Sequence, residues 1–182
     1  DLETMRLLGS LDKRWFSVEK KMRNILVNGY LGDSFPFFKI RYNADSATYE
    51  AQQINMVEAL LTALHLSQVG ECPEATVRWV KEALSKGAIY GAYTPQGQPV
   101  STVESTAIYA LCALLGDAEG DRALIAAAME KLHTFQVADK QSVFYGAFAD
   151  ASTLQAYSFD NLMALAALRK QAQYAVSGEK GG

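Results

Sequence analysis

The amino-acid sequence predicts an all-α fold built from repeated helical hairpins, and three observations lead there. Three segments, Phe35 to Leu66, Ile89 to Leu115 and Phe144 to Leu168, share one order: an aromatic stretch, a short polar loop, then an Ala/Leu-rich helical run. Each run is entered behind an aromatic or apolar residue and an acid, Tyr49-Glu50, Val103-Glu104 and Phe159-Asp160, so the acids recur 54 and 56 residues apart. A repeat of this size marks one supersecondary unit used several times. Helices also alternate in character along the chain. Those expected second, fourth and sixth carry charge on one face (Lys20 and Arg23; Arg78, Lys81 and Glu82; Glu130 and Lys131), whereas the third, fifth and seventh are almost free of charge beyond their first turns. A helix apolar nearly all round is buried on most sides, so charged outer helices cover Ala-rich inner ones.

The elements follow in order. The first helix is expected from Leu2 to Arg14, and the second from Ser17 to Asn28, closed by Gly29 as a C-cap. The third is read from Tyr49 to Gln68 before Gly70, with Ala59 and Ala63 at helical spacing. Pro73 opens the fourth in its first turn, where the missing N–H costs nothing, and Gly87 follows its end. The fifth is expected from Ser101, because Ser101-Thr102-Val103-Glu104 has capping-box spacing, to Gly116, with Ala107, Ala110 and Ala113 inward. The sixth spans Asp121 to Phe135 and the seventh Ser158 to Tyr174, with Ala164 and Ala167 buried. These elements form one domain over 1–175, and 176–182 is expected to be a disordered tail. Long loops at one end of the inner helices favour an α/α toroid over a stacked solenoid. Three and a half hairpins supply only part of a six-hairpin ring, a partial (α/α)6 barrel, so part of the barrel is expected to lie outside the chain, in a missing N-terminal half or a second copy.

Composition narrows the chemistry. The 182 residues suffice for a sizeable core, and a net charge of −3 without a basic run argues against nucleic acid as a partner. No apolar stretch is long enough for a membrane-spanning segment. Cys72 and Cys112 lie in different repeats and His65 and His133 end separate helices, so packing roles are expected and no metal or other cofactor. The Asp117–Asp121 stretch lacks the length and closing Glu of a calcium loop and reads as a helix–helix turn.

Two constellations carry the functional reading. In a ring, the inner helix N-termini face one way, which gathers Glu50, Glu104 and Asp160 at one mouth. A helix N-terminus stabilises an ionised carboxylate and suits a general base better than an acid. First-turn acids also stabilise helices with no further role: the capping box accounts for Glu104, and Asp160 sits two residues past Ser158. Glu50 divides evenly between site and structure. The second constellation is aromatic. Tyr42, Tyr49, Tyr90, Tyr93, Tyr145, Phe148, Tyr157 and Phe159 cluster in the rim segments, where flat rings with a polar edge suit sugars. Phe148 and Phe159 are expected to pack, while Tyr90, Tyr93 and Tyr145 remain open. Gly91 and Gly146 in the two Tyr-Gly-Ala links imply a required backbone conformation or a close approach.

At Phe35-Pro36-Phe37, Tyr49-Glu50-Ala51, Tyr90-Gly91-Ala92-Tyr93, Glu104 to Leu111 and Tyr157 to Leu162, the chain resembles the C-terminal half of the (α/α)6-barrel glycoside hydrolases of family 8, especially bacterial exopolysaccharide-associated relatives. The resemblance implies an inverting hydrolase of β-linked polysaccharide, extracellular or at the cell surface. Glu50 stands where that family has its general-base Asp in a Tyr-Asp-Ala motif, and Gln52-Gln53 replace an Arg-containing continuation. Tyr49, Tyr90, Tyr93, Glu104, Tyr145 and Asp160 would line sugar subsites. The general acid belongs to the family's first half and has no counterpart here, so the chain by itself is expected to lack activity. Two other readings stay open: a non-catalytic carbohydrate-binding or scaffold protein, and another six-hairpin enzyme such as a polysaccharide lyase or uronyl hydrolase.

Overall fold

The computed structural model describes residues 1–150 and 152–178. It is mostly helical, as the sequence predicts: α1 (Leu2–Leu11), α2 (Arg14–Asn28), α3 (Met56–Ser67), α4 (Glu74–Ser85), α5 (Thr106–Ala118), α6 (Arg122–His133) and α7 (Ser158–Gly178). Four short strands, β1 (Arg41–Asn43), β2 (Thr48–Glu50), β3 (Ile54–Asn55) and β4 (Ala92–Tyr93), form two antiparallel pairs, β1 with β2 and β3 with β4. The chain divides into two compact units, Asp1–Val103 and Glu104–Gly182.

In the first unit, α1 and α2 pack as a hairpin. The expected long first helix stops at Leu11, because Asp12 turns to an extended backbone (φ −142°, ψ 111°) and its carboxylate accepts from the Arg14 backbone N–H and guanidinium. The second helix therefore starts at Arg14, three residues early. Leu2, Phe38 and Leu66 form one buried cluster, with Leu26, Tyr30, Val69 and Cys72 packed against it. A second cluster is aromatic. The Phe37 ring stands edge-on to Trp79 at 4.9 Å, and Phe35 lies 5.1 Å from Phe37 and 5.5 Å from Tyr93. The Thr76 hydroxyl, fully buried on α4, donates to the Pro36 carbonyl at 2.5 Å and ties that helix to the cluster. Pro73 sits at the N-cap of α4, in the extended conformation that opens the helix.

Gly97 borders this cluster. Its φ is +82°, and an added Cβ would lie 2.9 Å from the Phe35 ring, so both backbone and space demand glycine. Gly97→Ala is expected to destabilise the first unit by about 1–2 kcal/mol or more. Urea unfolding of the variant against the parent measures this, and an unchanged midpoint would contradict the tight contact with Phe35.

The largest departure from the sequence reading is the third helix. It begins at Met56, not Tyr49, and the residues before it form the β1–β2 hairpin with Arg41 opposite Glu50 and Tyr42 opposite Tyr49. Local chemistry explains this. The Asn43 side chain accepts from the Asp45 and Ser46 N–H groups and turns the chain, while Thr and Tyr favour the extended state. Asn55 then caps α3, its side chain accepting from Val57 and Glu58 N–H. The third helix still buries Ala59, Leu60, Ala63 and Leu66, as its Ala/Leu content predicts.

In the second unit, α5 packs against both α6 and α7, and every residue from Thr106 to Ala113 is buried. The predicted start at Ser101 is also corrected. The helix begins at Thr106 behind Ser105, and Ser101-Glu104 forms no capping box, since the Glu104 carboxylate is engaged elsewhere. Asp121 caps α6 by accepting from Leu124 N–H, so the acidic stretch before it serves as a helix–helix turn. Ala164 and Ala167 of α7 are buried, as expected, but Leu162 and Leu165 are exposed, so α7 is covered along one stripe and not on most sides as its apolar content predicts. The helix runs on to Gly178, through residues read as the start of a disordered tail; 179–182 lie outside the described residues.

Candidate functional site

The candidate residues fall in both units. In the first, Glu50 is the last residue of β2. Its carboxylate is half exposed and pairs with Arg41 across the strands at 3.3 Å. It does not head a helix, so no helix N-terminus acts on it, contrary to the expectation from the repeat. Side chains alternate along a strand, so Arg41 and Glu50 share one face of the hairpin while Tyr42 and Tyr49 share the other.

Tyr49 is held in place. Its hydroxyl donates to the Ile25 carbonyl of α2 at 2.8 Å, its ring lies 4.9 Å from Tyr42, and the Lys39 ammonium sits 5.2 Å from its ring centre. Burial and, less, the neighbouring Tyr42 push its phenol above the usual tyrosine range. The tyrosine face of the hairpin borders a cleft of about 460 Å³, walled on one side by Met22, Ile25 and Leu26 of α2 and on the other by Glu58, Ala59 and Thr62 of α3.

Tyr90 and Tyr93 come together, with rings stacked at 6.3 Å and the Tyr90 N–H donating to the Tyr93 hydroxyl at 3.0 Å. Tyr93 is buried in the aromatic cluster and pairs with Ile54 as part of β4, so packing accounts for it; Tyr90 is half-buried. Between them, Gly91 donates to the Val103 carbonyl at 2.7 Å, a close approach that leaves only 3.3 Å for a Cβ.

In the second unit, two acids are engaged near the start of α5. Glu104, just before α5, accepts a hydrogen bond from the Tyr109 hydroxyl and pairs with Lys131 of α6 at 3.1 Å. The Lys131 ammonium also lies 5.5 Å from the Tyr109 ring centre. Three-quarters of the Glu104 side chain is buried. Asp160, in the first turn of α7, reaches across to accept from the Ala107 N–H at 2.9 Å, so it caps a neighbouring helix rather than its own. Asp160→Ala removes that acceptor from a half-buried position. The variant is expected to lose about 1–2 kcal/mol, read as a lower midpoint in chemical denaturation. Asp160→Asn, which keeps an oxygen acceptor, is expected to recover most of the loss; equal losses would contradict the capping role.

Tyr145 is exposed, and Gly146 beside it has φ +84°, a left-handed turn. Phe148 is buried and packs, as expected, whereas Phe159 is exposed. Tyr109 and Lys131, which hold Glu104, were not singled out for chemistry by the sequence. Tyr109 is spaced five residues from Glu104 and Lys131 is on another helix, so no local pattern joins them. Lys39 and Trp79 were missed for the same reason.

Burial lowers His65 below the usual histidine range and raises the Cys112 thiol, which favours neutral, packed groups at both positions. Among the described residues no group of three His, Cys, Asp or Glu side chains is placed to hold a metal, and no helix is long and apolar enough to cross a membrane.

No protein-family profile matches the chain. The chain is 28% identical over 172 residues to "Putative lipoprotein YdaJ" of Bacillus subtilis (strain 168), covering 93% of this chain and 46% of that protein. Among solved structures, it shares its fold with a protein of Clostridium perfringens described as a novel alpha-amylase, at a TM-score of 0.89 and 34% identity over 93% of this chain and 52% of that one. PssZ from Listeria monocytogenes is similar in fold, at a TM-score of 0.56 and 20% identity over 74% of this chain and 40% of that chain. The chain thus spans about half the length of the Bacillus and Clostridium proteins.

Proposed function

We propose that this chain is part of a glycoside hydrolase of the α/α-toroid type that cleaves polysaccharide by acid–base hydrolysis. The observation that carries the reading is the likeness to the Clostridium alpha-amylase, at 34% identity and a TM-score of 0.89 over nearly the whole chain. The resemblance to family 8 adds β-linked substrates to this reading, a linkage that the alpha-amylase description does not itself support. In it, Glu50 activates the attacking water, and Arg41 at 3.3 Å fixes the direction of the carboxylate. The general acid comes from residues outside this chain. The family resemblance implies sugar subsites lined by Tyr49, Tyr90, Tyr93, Tyr145, Glu104 and Asp160; the half-buried Tyr90 and exposed Tyr145 are the better placed tyrosines, because Tyr93 is buried and Tyr49 is bonded to α2. The mechanism needs no metal or cofactor. The lipoprotein description of YdaJ supports a place at the cell surface.

A second reading of the catalytic carboxylate has its own support. Glu104 is more buried than Glu50 and is held from two sides by Tyr109 and Lys131, the kind of fixed geometry that catalysis exploits. Incubating a parent protein that contains this chain with β-linked and α-linked glucans tests the activity itself. Release of reducing ends without ultraviolet-absorbing unsaturated ends supports hydrolysis. Unsaturated ends would replace it with a lyase, and sugar binding without any new ends with a carbohydrate-binding scaffold.

A further inference from the structure

The cleft between α2, the β1–β2 hairpin and α3 holds one cation that the proposed chemistry leaves unused. Lys39 is half-buried, and among the described residues its ammonium has no carboxylate partner; its one contact is the Tyr49 ring at 5.2 Å. Arg41, two residues on, is by contrast taken by Glu50. The Lys39 backbone is fixed, its N–H donating to the Gly29 carbonyl at 2.8 Å, and the next N–H, of Ile40, donates to the Glu50 backbone carbonyl at 3.1 Å. A ring contact satisfies the charge of an ammonium only weakly and none of its three donors. A half-buried lysine at the wall of a cleft, its ammonium without a carboxylate, is set to receive an anion.

The rest of the cleft suits a sugar. Its volume, about 460 Å³, falls within the range of small-ligand sites. Tyr42 offers a ring, and among the described residues its hydroxyl has no hydrogen-bond partner. Ile25, Leu26 and Ala59 supply apolar surface for the C–H face of a pyranose. Glu58 is the one carboxylate among the lining residues, and it is exposed in the first turn of α3, where it can accept from sugar hydroxyls.

We infer that this cleft binds an acidic sugar unit, its carboxylate on Lys39 and its ring against Tyr42, so that the polysaccharide recognised carries uronate residues. The inference rests on the glycoside-hydrolase reading for its polymer, but its test does not depend on turnover. A hexuronate tetrasaccharide, a neutral glucose tetrasaccharide and a sulfated form of the latter are titrated into the ¹⁵N-labelled chain and followed by NMR. The expected result is uronate binding about tenfold or more tighter than neutral binding, with shifts at residues 39–49 and in α3. Lys39→Met is expected to bring uronate affinity down to the neutral value, and Lys39→Arg to retain most of it. Raised salt is expected to weaken only the uronate complex.

Equal affinity for acidic and neutral sugars, shifts confined to other residues, or no binding by any of the three overturns the proposal. So does an unaffected Lys39→Met variant. Preference for the sulfated sugar overturns the carboxylate assignment. Uronate binding in a protein that releases no reducing ends leaves this inference standing while the hydrolase reading falls. Hydrolysis of neutral polymer without uronate binding does the reverse.

Discussion

Phe37→Ala is expected to cost about 3–5 kcal/mol, the largest stability loss of any substitution considered for this chain. Phe37 is fully buried, and its ring meets Trp79 edge-on at 4.9 Å and Phe35 at 5.1 Å. Removing it opens a cavity among aromatic rings that cannot collapse into it, because Phe35 is itself fixed by Trp79 at 5.6 Å and Tyr93 at 5.5 Å. Against a total stability of about 5–15 kcal/mol for an ordinary domain, such a loss brings the first unit close to unfolding. Equilibrium urea denaturation followed by the fluorescence of Trp15 and Trp79, both in the first unit, reads it directly. A loss below about 1 kcal/mol would mean that the cluster is not the packed core described above.

Glu50→Gln in a parent protein that contains this chain is expected to lower turnover by about 10²–10⁴-fold while leaving sugar affinity within a few-fold of the parent. The substitution keeps the shape of the side chain and removes its ability to take a proton. It also breaks the ion pair with Arg41 at 3.3 Å, but that pair is largely exposed and contributes little to stability. A fall in rate with unchanged binding therefore reports chemistry rather than unfolding. The parallel variant Glu104→Gln separates the two carboxylates. If the rate falls with Glu104→Gln and survives Glu50→Gln, the base lies in the second unit, where Tyr109 and Lys131 hold it.

The inner helices were legible because their signal is local and strong. Alanines three residues apart, such as Ala107, Ala110 and Ala113, fall near one helix face, have no polar group to satisfy and lose no side-chain entropy, so they read as buried helix. Pro73 and Asp121 marked helix starts for equally local reasons. The start of α3 was misread because Tyr49 and Glu50 mimic the acid-headed entry of the other repeats. The competing signal, turn-forming Asn43 to Ala47 between Tyr-centred strands, spans only ten residues. The Ser101 capping box failed because Glu104 has better partners from Tyr109 and Lys131.

What the sequence could not show is which residues meet across elements. Asp160 looked like an acid stabilising its own helix, yet its acceptor serves Ala107, 53 residues away. Lys39 showed no pattern at all; its place becomes visible only when the hairpin folds Tyr49 beneath it. The repeat placed equivalent acids correctly in sequence but not in environment: one lies on a strand, one before a helix, one inside a first turn.

The measurement that tests the central claim most directly is the anomeric configuration of the first product, followed by ¹H NMR in the opening minutes of polysaccharide cleavage by a parent protein containing this chain. Activation of water by Glu50 predicts a single direct displacement, so the newly formed reducing end appears with configuration opposite to the bond cleaved. Retained configuration would mean a covalent glycosyl intermediate on a carboxylate nucleophile and would contradict the role given to Glu50.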